Sequence, residues 1–397
     1  MRYLTRAIWI LSMVSLLTDV ASEMLYPVMP IYLRSIGFSA LLIGLLEGLA
    51  EATAGLTKGY FGQRSDELGK RTPFVRFGYG LSAVSKPMMA VFVYPLWIFF
   101  ARTLDRLGKG MRTAARDALL SDEAAPETKG RIFGFHRSMD TLGAVIGPAL
   151  ALVWLNDHPG RYRWLFVIAF VPGLLAIVFT LLLKEKRRAR TGAVKTRRTG
   201  LLSFLHYLPF SPTGYRKLVI GLWIFTLVNS SDVFLLLKMK QTGLADVATI
   251  GVYIFYNVVY ALSSFPLGGL ADRIGLKKVL LAGLVLFCIV YAGMSVAEGI
   301  GWYLALFFLY GLYAAATEGI TKAWISNMAD KNDTATAIGA FTGIQSVCTL
   351  LASTLTGWIW TRFGASPAFL VTAGIALAVT IYIWLAVEGK RPAPAAT

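Results

Sequence analysis

A chain of 397 residues that is 56% hydrophobic and only 15% charged, with a mean hydropathy of +0.61, is too apolar for a soluble enzyme or binding domain, where about a quarter of residues carry charge. Its formal net charge of +17 does not point to nucleic acid, because the basic residues crowd into short connections between apolar runs long enough to cross a bilayer, roughly 20 residues each. The lipid bilayer is the expected partner and nucleic acid is not.

Twelve helices are predicted, the first six over about 6–34, 40–62, 73–93, 95–118, 130–155 and 163–184. The first run is too long, and too interrupted by acids, for a cleaved signal peptide. Helix 1 carries Asp19 and Glu23, four apart and so on one face; helix 2 carries Glu47 and Glu51 at the same spacing. The connection after helix 2 reads Gly62, Asp66, Gly69, then Lys70 and Arg71. Helix 4 holds Arg102, Asp105, Arg106 and Lys109; helix 5 holds Arg137 and Asp140 together with Gly134, Gly143, Gly147 and Pro148. An N-terminal six-helix bundle thus spans 1–184.

A strongly basic segment, 185–215, joins the halves and is expected to be cytoplasmic; within and beside it, from Lys184 to Lys217, Glu185 is the only acid. The second six helices are predicted over about 216–240, 246–270, 277–296, 300–326, 335–361 and 367–388, giving a C-terminal bundle over 216–390 and a cytoplasmic tail over 391–397. Helix 7 carries Asp232 beside Asn229, Ser230 and Ser231; helix 10 carries Glu318 and Lys322. Lys238 and Lys240 are expected to snorkel to the outer surface. Cys288 and Cys348 lie in apolar runs and imply no disulfide framework. Three histidines without Cys/His spacing give no metal site, and no cofactor is called for.

The halves repeat each other, which fixes the architecture. Shifting the first half by 206 positions lays Gly62, Asp66 and Gly69 on Gly268, Asp272 and Gly275, and Arg112 and Arg116 on Glu318 and Lys322. A shift of 213 lays Asp19 on Asp232. The reading is an all-α membrane protein of twelve transmembrane helices in two pseudo-symmetric six-helix bundles. Basic connections fall on one side, so both termini are expected in the cytoplasm. A cell membrane is the expected location, and the lack of large external domains fits a bacterial inner membrane.

These residues resemble the major facilitator superfamily over the whole chain. The resemblance rests on the repeated G-x-x-x-D-x-x-G loops, on Arg106 to Gly110 as an R-x-x-x-G pattern, and on Gly134, Gly143, Gly147 and Pro148 as the antiporter pattern of drug–proton exchangers. Lys109 replaces the usual polar amide, and Ala149 and Ala151 stand where a further glycine is usual. Leu25-Tyr26-Pro27-Val28-Met29-Pro30 also resembles a stretch of helix 1 in such exporters. The resemblance implies alternating access, a proton-transfer arginine at Arg106, and a cytoplasmic latch at Gly62, Asp66, Gly69, Arg71, Gly268, Asp272 and Gly275 that helps hold the outward-facing state. It does not imply the substrate.

Ionisable groups at bilayer depth are expensive and mark function by default. A carboxylate in a dehydrated cavity tends to take up a proton, and a nearby arginine opposes this. Asp19, Glu23 and Arg106 are therefore the expected proton-coupling set. Glu47, Glu51, Arg102, Asp105, Lys109, Asp140, Asp232, Glu318 and Lys322 are the expected substrate-cavity residues. The alternative for the N-terminal charges is a buried ion-pair network holding helices 1, 2, 4 and 5 together, and for Glu47 and Glu51 a structural pair with helix 4 explains them equally well. Phe135, Trp223, Tyr256, Tyr260 and Tyr310 are candidates to line a cavity for an amphiphile, against plain packing. The expected function is proton-coupled export of a small organic or amphiphilic molecule by a monomer. The alternative is a symporter or facilitator importing a small anionic metabolite or a metal chelate, since the helix-4 bases would suit an anion. An enzyme is disfavoured because no paired histidines or nucleophile–base motif lies at membrane depth, and no Walker loop offers direct ATP drive.

Overall fold

The computed structural model describes residues 4–388 apart from 27, 30, 31, 34, 35, 39, 185–199, 201 and 245. Most of the expected basic linker, the tail 391–397 and the prolines Pro27 and Pro30 lie outside the described residues, as does the side chain of Glu47.

The first half contains α1 (Arg6–Leu25), α2 (Ala40–Leu68), α3 (Thr72–Val91), α4 (Pro95–Asp122), α5 (Lys129–Asp157) and α6 (Tyr162–Leu181). Thr5 caps α1 by accepting a hydrogen bond from the Ile8 amide at 3.3 Å. Prolines in the first turns of α3 and α4 cost no intrahelical bond there. A single turn, α7 (Tyr207–Phe210), precedes the second half: α8 (Thr213–Thr226), α9 (Val233–Gln241), α10 (Asp246–Ile274), α11 (Leu276–Val296), α12 (Ile300–Met328), α13 (Thr334–Phe363) and α14 (Ala365–Ala386).

α2 and α10 run on to Leu68 and Ile274, past the ends expected at 62 and 270, and two further predicted helices differ from expectation. Helix 1 was expected to reach 34, but α1 ends at Leu25; the sequence places Pro27, which has no amide to donate, just beyond. Predicted helix 7 is broken into α8 and α9 at Asn229-Ser230-Ser231-Asp232, where short polar side chains compete for backbone groups; the Ser231 hydroxyl takes the Val233 amide at 3.4 Å.

The chain divides into two compact units. One comprises Met1–Glu123, Met139–Phe210 and Ala329–Ser346; the other comprises Ala124–Ser138, Ser211–Met328 and Val347–Thr397. Each of α5 and α13 thus contributes one part to each unit. Inside the first unit α4 packs on α2 and α3, and α6 on α1 and α3. Inside the second, α12 packs on α10 and α11, and α14 on α8 and α11. Each of these four pairings in one unit has its repeat counterpart in the other.

Among the described residues seven helices are long and apolar enough to cross a membrane: α5, α6, and α10 to α14. Their outer faces expose side chains such as Leu262, Val296 and Leu385, which water would not tolerate as a continuous surface. α4 is not among the seven, because it carries Arg102, Asp105, Arg106, Lys109, Arg112, Arg116 and Asp117 in one run. These charges face inward and build a site.

Candidate functional site

A cavity of about 190 Å³ lies within the first unit, enclosed by α1 to α4. Asp19 and Glu23 reach it from α1, Glu51 from α2 and Lys86 from α3; α4 supplies Arg102, Asp105, Arg106, Lys109 and Arg112. Spacings of three and four residues put the α4 groups on one stripe of the helix. Most of these charges answer one another. Asp105 takes Lys86 at 3.4 Å and Arg102 at 3.7 Å, and Arg106 lies 3.7 Å from Glu51. Arg112 donates to the Ser82 hydroxyl at 2.6 Å, and its guanidinium stands 4.5 Å over the Tyr79 ring. Glu51 lies on the wall under the charge of both Lys109 and Arg106, and Lys109 together with Arg112 also bears on Asp19.

Asp140 does not itself line the cavity, although its charge bears on Asp19. It is 6% exposed, pairs with the Ser15 hydroxyl, and lies 4.0 Å from Arg116, which also holds Asp117 at 2.9 Å. The register of α5 turns this position toward Ser15 of α1 and Arg116 of α4. Asp232, Glu318 and Lys322 belong to the second unit. Asp232, at the N-cap position of α9, makes no side-chain capping bond and accepts a hydrogen bond from the Tyr310 hydroxyl at 2.6 Å. Tyr310 stacks on Tyr256 and Tyr313, with ring centroids 5.0 and 5.3 Å away. Glu318 pairs with Arg137 at 3.3 Å, and Arg137 also meets Tyr260. Lys322 is half-buried one turn beyond Glu318.

The two copies of the repeated motif run through the last turns of α2 and α10 rather than forming loops, and their aspartates meet helix starts. Asp66 accepts from the Thr336 amide at 2.6 Å and the Thr336 hydroxyl at 2.8 Å, in the first turn of α13. Arg71 lies 2.8 Å from Asp66 and 2.9 Å from Asp122. Asp272 accepts from the amides of Gly130 and Arg131, each at 2.8 Å, in the first turn of α5. A carboxylate there satisfies free amides and meets the positive end of the helix dipole. Gly69 and Gly275, at φ +62° and +105°, turn the chain where side-chain-bearing residues are strained. A Cβ on Gly62 would meet the Ala335 carbonyl at 2.5 Å, and one on Gly268 would meet the Gly130 carbonyl.

The glycines of α5 serve close packing. Gly134 lies against Ser264 of α10. A Cβ on Gly143 would meet the Leu16 carbonyl at 2.6 Å, and one on Gly147 would meet the Val20 carbonyl and the Met24 amide, each at 2.7 Å. α5 continues through Pro148 to Asp157. Gly147→Val should therefore lower stability by about 1–3 kcal/mol, because backbone cannot yield. Gly80→Ala, where nothing lies within 4 Å, should be neutral or stabilising by up to about 1 kcal/mol. Thermal denaturation in detergent checks both; an unchanged midpoint for Gly147→Val would refute the packing role.

Three features escaped the sequence reading. Lys86 is 2% exposed in the middle of α3, and a lysine inside an apolar run was signal enough. Asp117, 0% exposed, lay at an expected helix end. The end of the linker docks inside the first unit: Ser203 donates to Gln63 at 2.6 Å, and Phe204 packs on Gly59 and Gly343. Burial, with Asp333 and Asp330 nearby, raises the affinity of the Tyr207 phenol for its proton. Nothing in the local sequence marks that docking.

The sequence profile of the Major Facilitator Superfamily matches residues 11–255 and 238–397. An uncharacterised MFS-type transporter of Methanocaldococcus jannaschii is 33% identical over 384 residues, covering 95% of this chain and 94% of that protein. The multidrug resistance protein MdtG of Klebsiella pneumoniae is 26% identical over 400 residues, covering 96% and 93%. The crystal structure of the human organic anion transporter MFSD10 superimposes with a TM-score of 0.79 at 17% identity, covering 95% of this chain and 99% of that one. A charged cavity walled by α1 to α4, two carboxylate contacts to helix starts repeated across the halves, and a match running nearly end to end identify the chain as a member of the Major Facilitator Superfamily, a multi-pass membrane transporter.

Proposed function

We propose that this transporter works by alternating access as a proton-coupled exporter of a small organic molecule, with the halves 1–184 and 216–390 as its rocking bundles. The supporting observation is the cavity wall itself, where Asp19 and Glu23 face a stripe of α4 cations. A proton taken up by Asp19 removes one charge from a nearly balanced set. That change favours a rearrangement of α1 against α4, and entry of cargo from the cytoplasm favours the proton's release. Asp66 and Asp272 act as latches by holding the starts of α13 and α5. Both termini are cytoplasmic in this reading, and one chain suffices for transport. Similarity to MdtG, a multidrug resistance protein, supports a small organic cargo.

The test is accumulation by proteoliposomes under an imposed pH gradient. An exporter exchanging cargo for protons accumulates external cargo when the lumen is acidic. Accumulation only with an acidic exterior would mean symport. That second reading is favoured by one count: the cavity wall carries five basic groups and four acids, which would suit an anion.

A further inference from the structure

Two opposite charges on the cavity wall are left over. Asp19 and Lys109 both line the cavity and are half-buried. Among the described residues neither side chain has an ion-pair or hydrogen-bond partner, whereas Glu51, Lys86, Arg102, Asp105, Arg106 and Arg112 all do. Their charges bear on each other across the space between them, and that of Lys109 bears on Glu51 as well, without a contact that would count as an ion pair. Keeping a carboxylate and an ammonium unpaired inside a membrane protein is costly, and a ligand that answers both removes the cost.

We propose that this cavity binds a small zwitterion, with the ligand's ammonium on Asp19 and its carboxylate or phosphate on Lys109. A singly charged ligand would satisfy one wall and leave the other unanswered. The volume argues the same way. About 190 Å³ equals the share of roughly six water molecules, while sites for drug-sized apolar ligands occupy about 300–1,000 Å³. The cargo is therefore compact and polar rather than amphiphilic.

This inference rests on the proposed reading of the cavity as the transport site, and it supplies that reading with a coupling device. The charged groups facing Asp19 are Glu23 on its own helix, Asp140 of α5, and Lys109 and Arg112 of α4. A ligand ammonium on Asp19 excludes a proton from the same carboxylate. Ligand and proton then occupy the site in alternation, which is the requirement for exchange.

The test is equilibrium binding to the purified full chain in detergent, with no gradient, by isothermal titration calorimetry. The probes are ω-amino carboxylates of three to eight carbons, each compared with the amine and the carboxylate of equal length. The best amino carboxylate should bind at least tenfold more tightly than either analogue. Lys109→Gln should bring it down to the level of the amine and leave the amine unchanged; Asp19→Asn should bring it down to the level of the carboxylate. Lys109→Arg should keep the preference, which separates charge recognition from misfolding. Equal binding of an amine or carboxylate, no binding of any amino carboxylate, or equal losses for all probes in both variants would each overturn the proposal. Protein that binds amino carboxylates with these dependences yet moves no protons would instead overturn the coupling and leave the binding site standing.

Discussion

Asp19→Asn protein in proteoliposomes should show no pH-driven accumulation of cargo while still binding it measurably. With one proton exchanged per cargo molecule, a gradient of one pH unit is worth about 1.4 kcal/mol and supports at most about tenfold accumulation. Asparagine keeps the shape of Asp19 but cannot take up or release the proton, so accumulation should fall to the equilibrium ratio of one. Passive equilibration should persist, because α4 still offers Lys109 and Arg112 to the cargo. Glu23→Gln should retain part of the driven accumulation, since Glu23 is one of several charges acting on Asp19 rather than the exchanging group. Wild-type accumulation in Asp19→Asn would move the proton site elsewhere.

Asp66→Asn should slow turnover about tenfold or more without changing which cargo competes best. Asp66 and Arg71 have side chains only 4% and 3% exposed, so the substitution leaves a buried guanidinium with Asp122 as its remaining carboxylate and weakens the hold on the Thr336 amide and hydroxyl. Breaking a buried pair from one side costs about 3–5 kcal/mol, and Asp122 should reduce that figure. Asp272→Asn should have the smaller effect, because Asp272 holds two backbone amides and removing its charge strands no comparable arginine. Initial rates in vesicles and a competition profile across several cargoes measure both effects. An altered profile in Asp66→Asn would contradict the latch role and place Asp66 in the selectivity machinery.

The architecture was legible because membrane physics leaves few choices. Runs of apolar residues must become helices, and a loop written twice must mark a repeat. Ends of elements were less legible. The helix-7 expectation ran straight through Asn229 to Asp232, although four consecutive residues that compete for backbone hydrogen bonds were the sign of the break. The charged face of α4 was visible from spacing alone, and it lines the cavity together with Asp19, Glu23 and Glu51. The pairings were not. Whether Arg106 meets Glu51 or an acid of α1 depends on the rotation of packed helices, and no spacing within one helix reports that. Asp140 is a second case: its place on α5 was clear, but its pairing with Ser15 and Arg116 depends on how α5 packs on α1 at Gly143 and Gly147. Lys86 was overlooked because its run otherwise reads as an apolar span.

Proton exchange is the central claim, and lumen pH tests it most directly. Proteoliposomes loaded with a pH-sensitive dye, without an imposed gradient, receive from outside the ω-amino carboxylate that binds best. The account predicts that the lumen turns alkaline as the probe enters and protons leave, and that Asp19→Asn vesicles give no signal. Acidification of the lumen would mean that proton and cargo enter together, contradicting exchange; no pH change with a probe known to occupy the cavity would contradict coupling altogether.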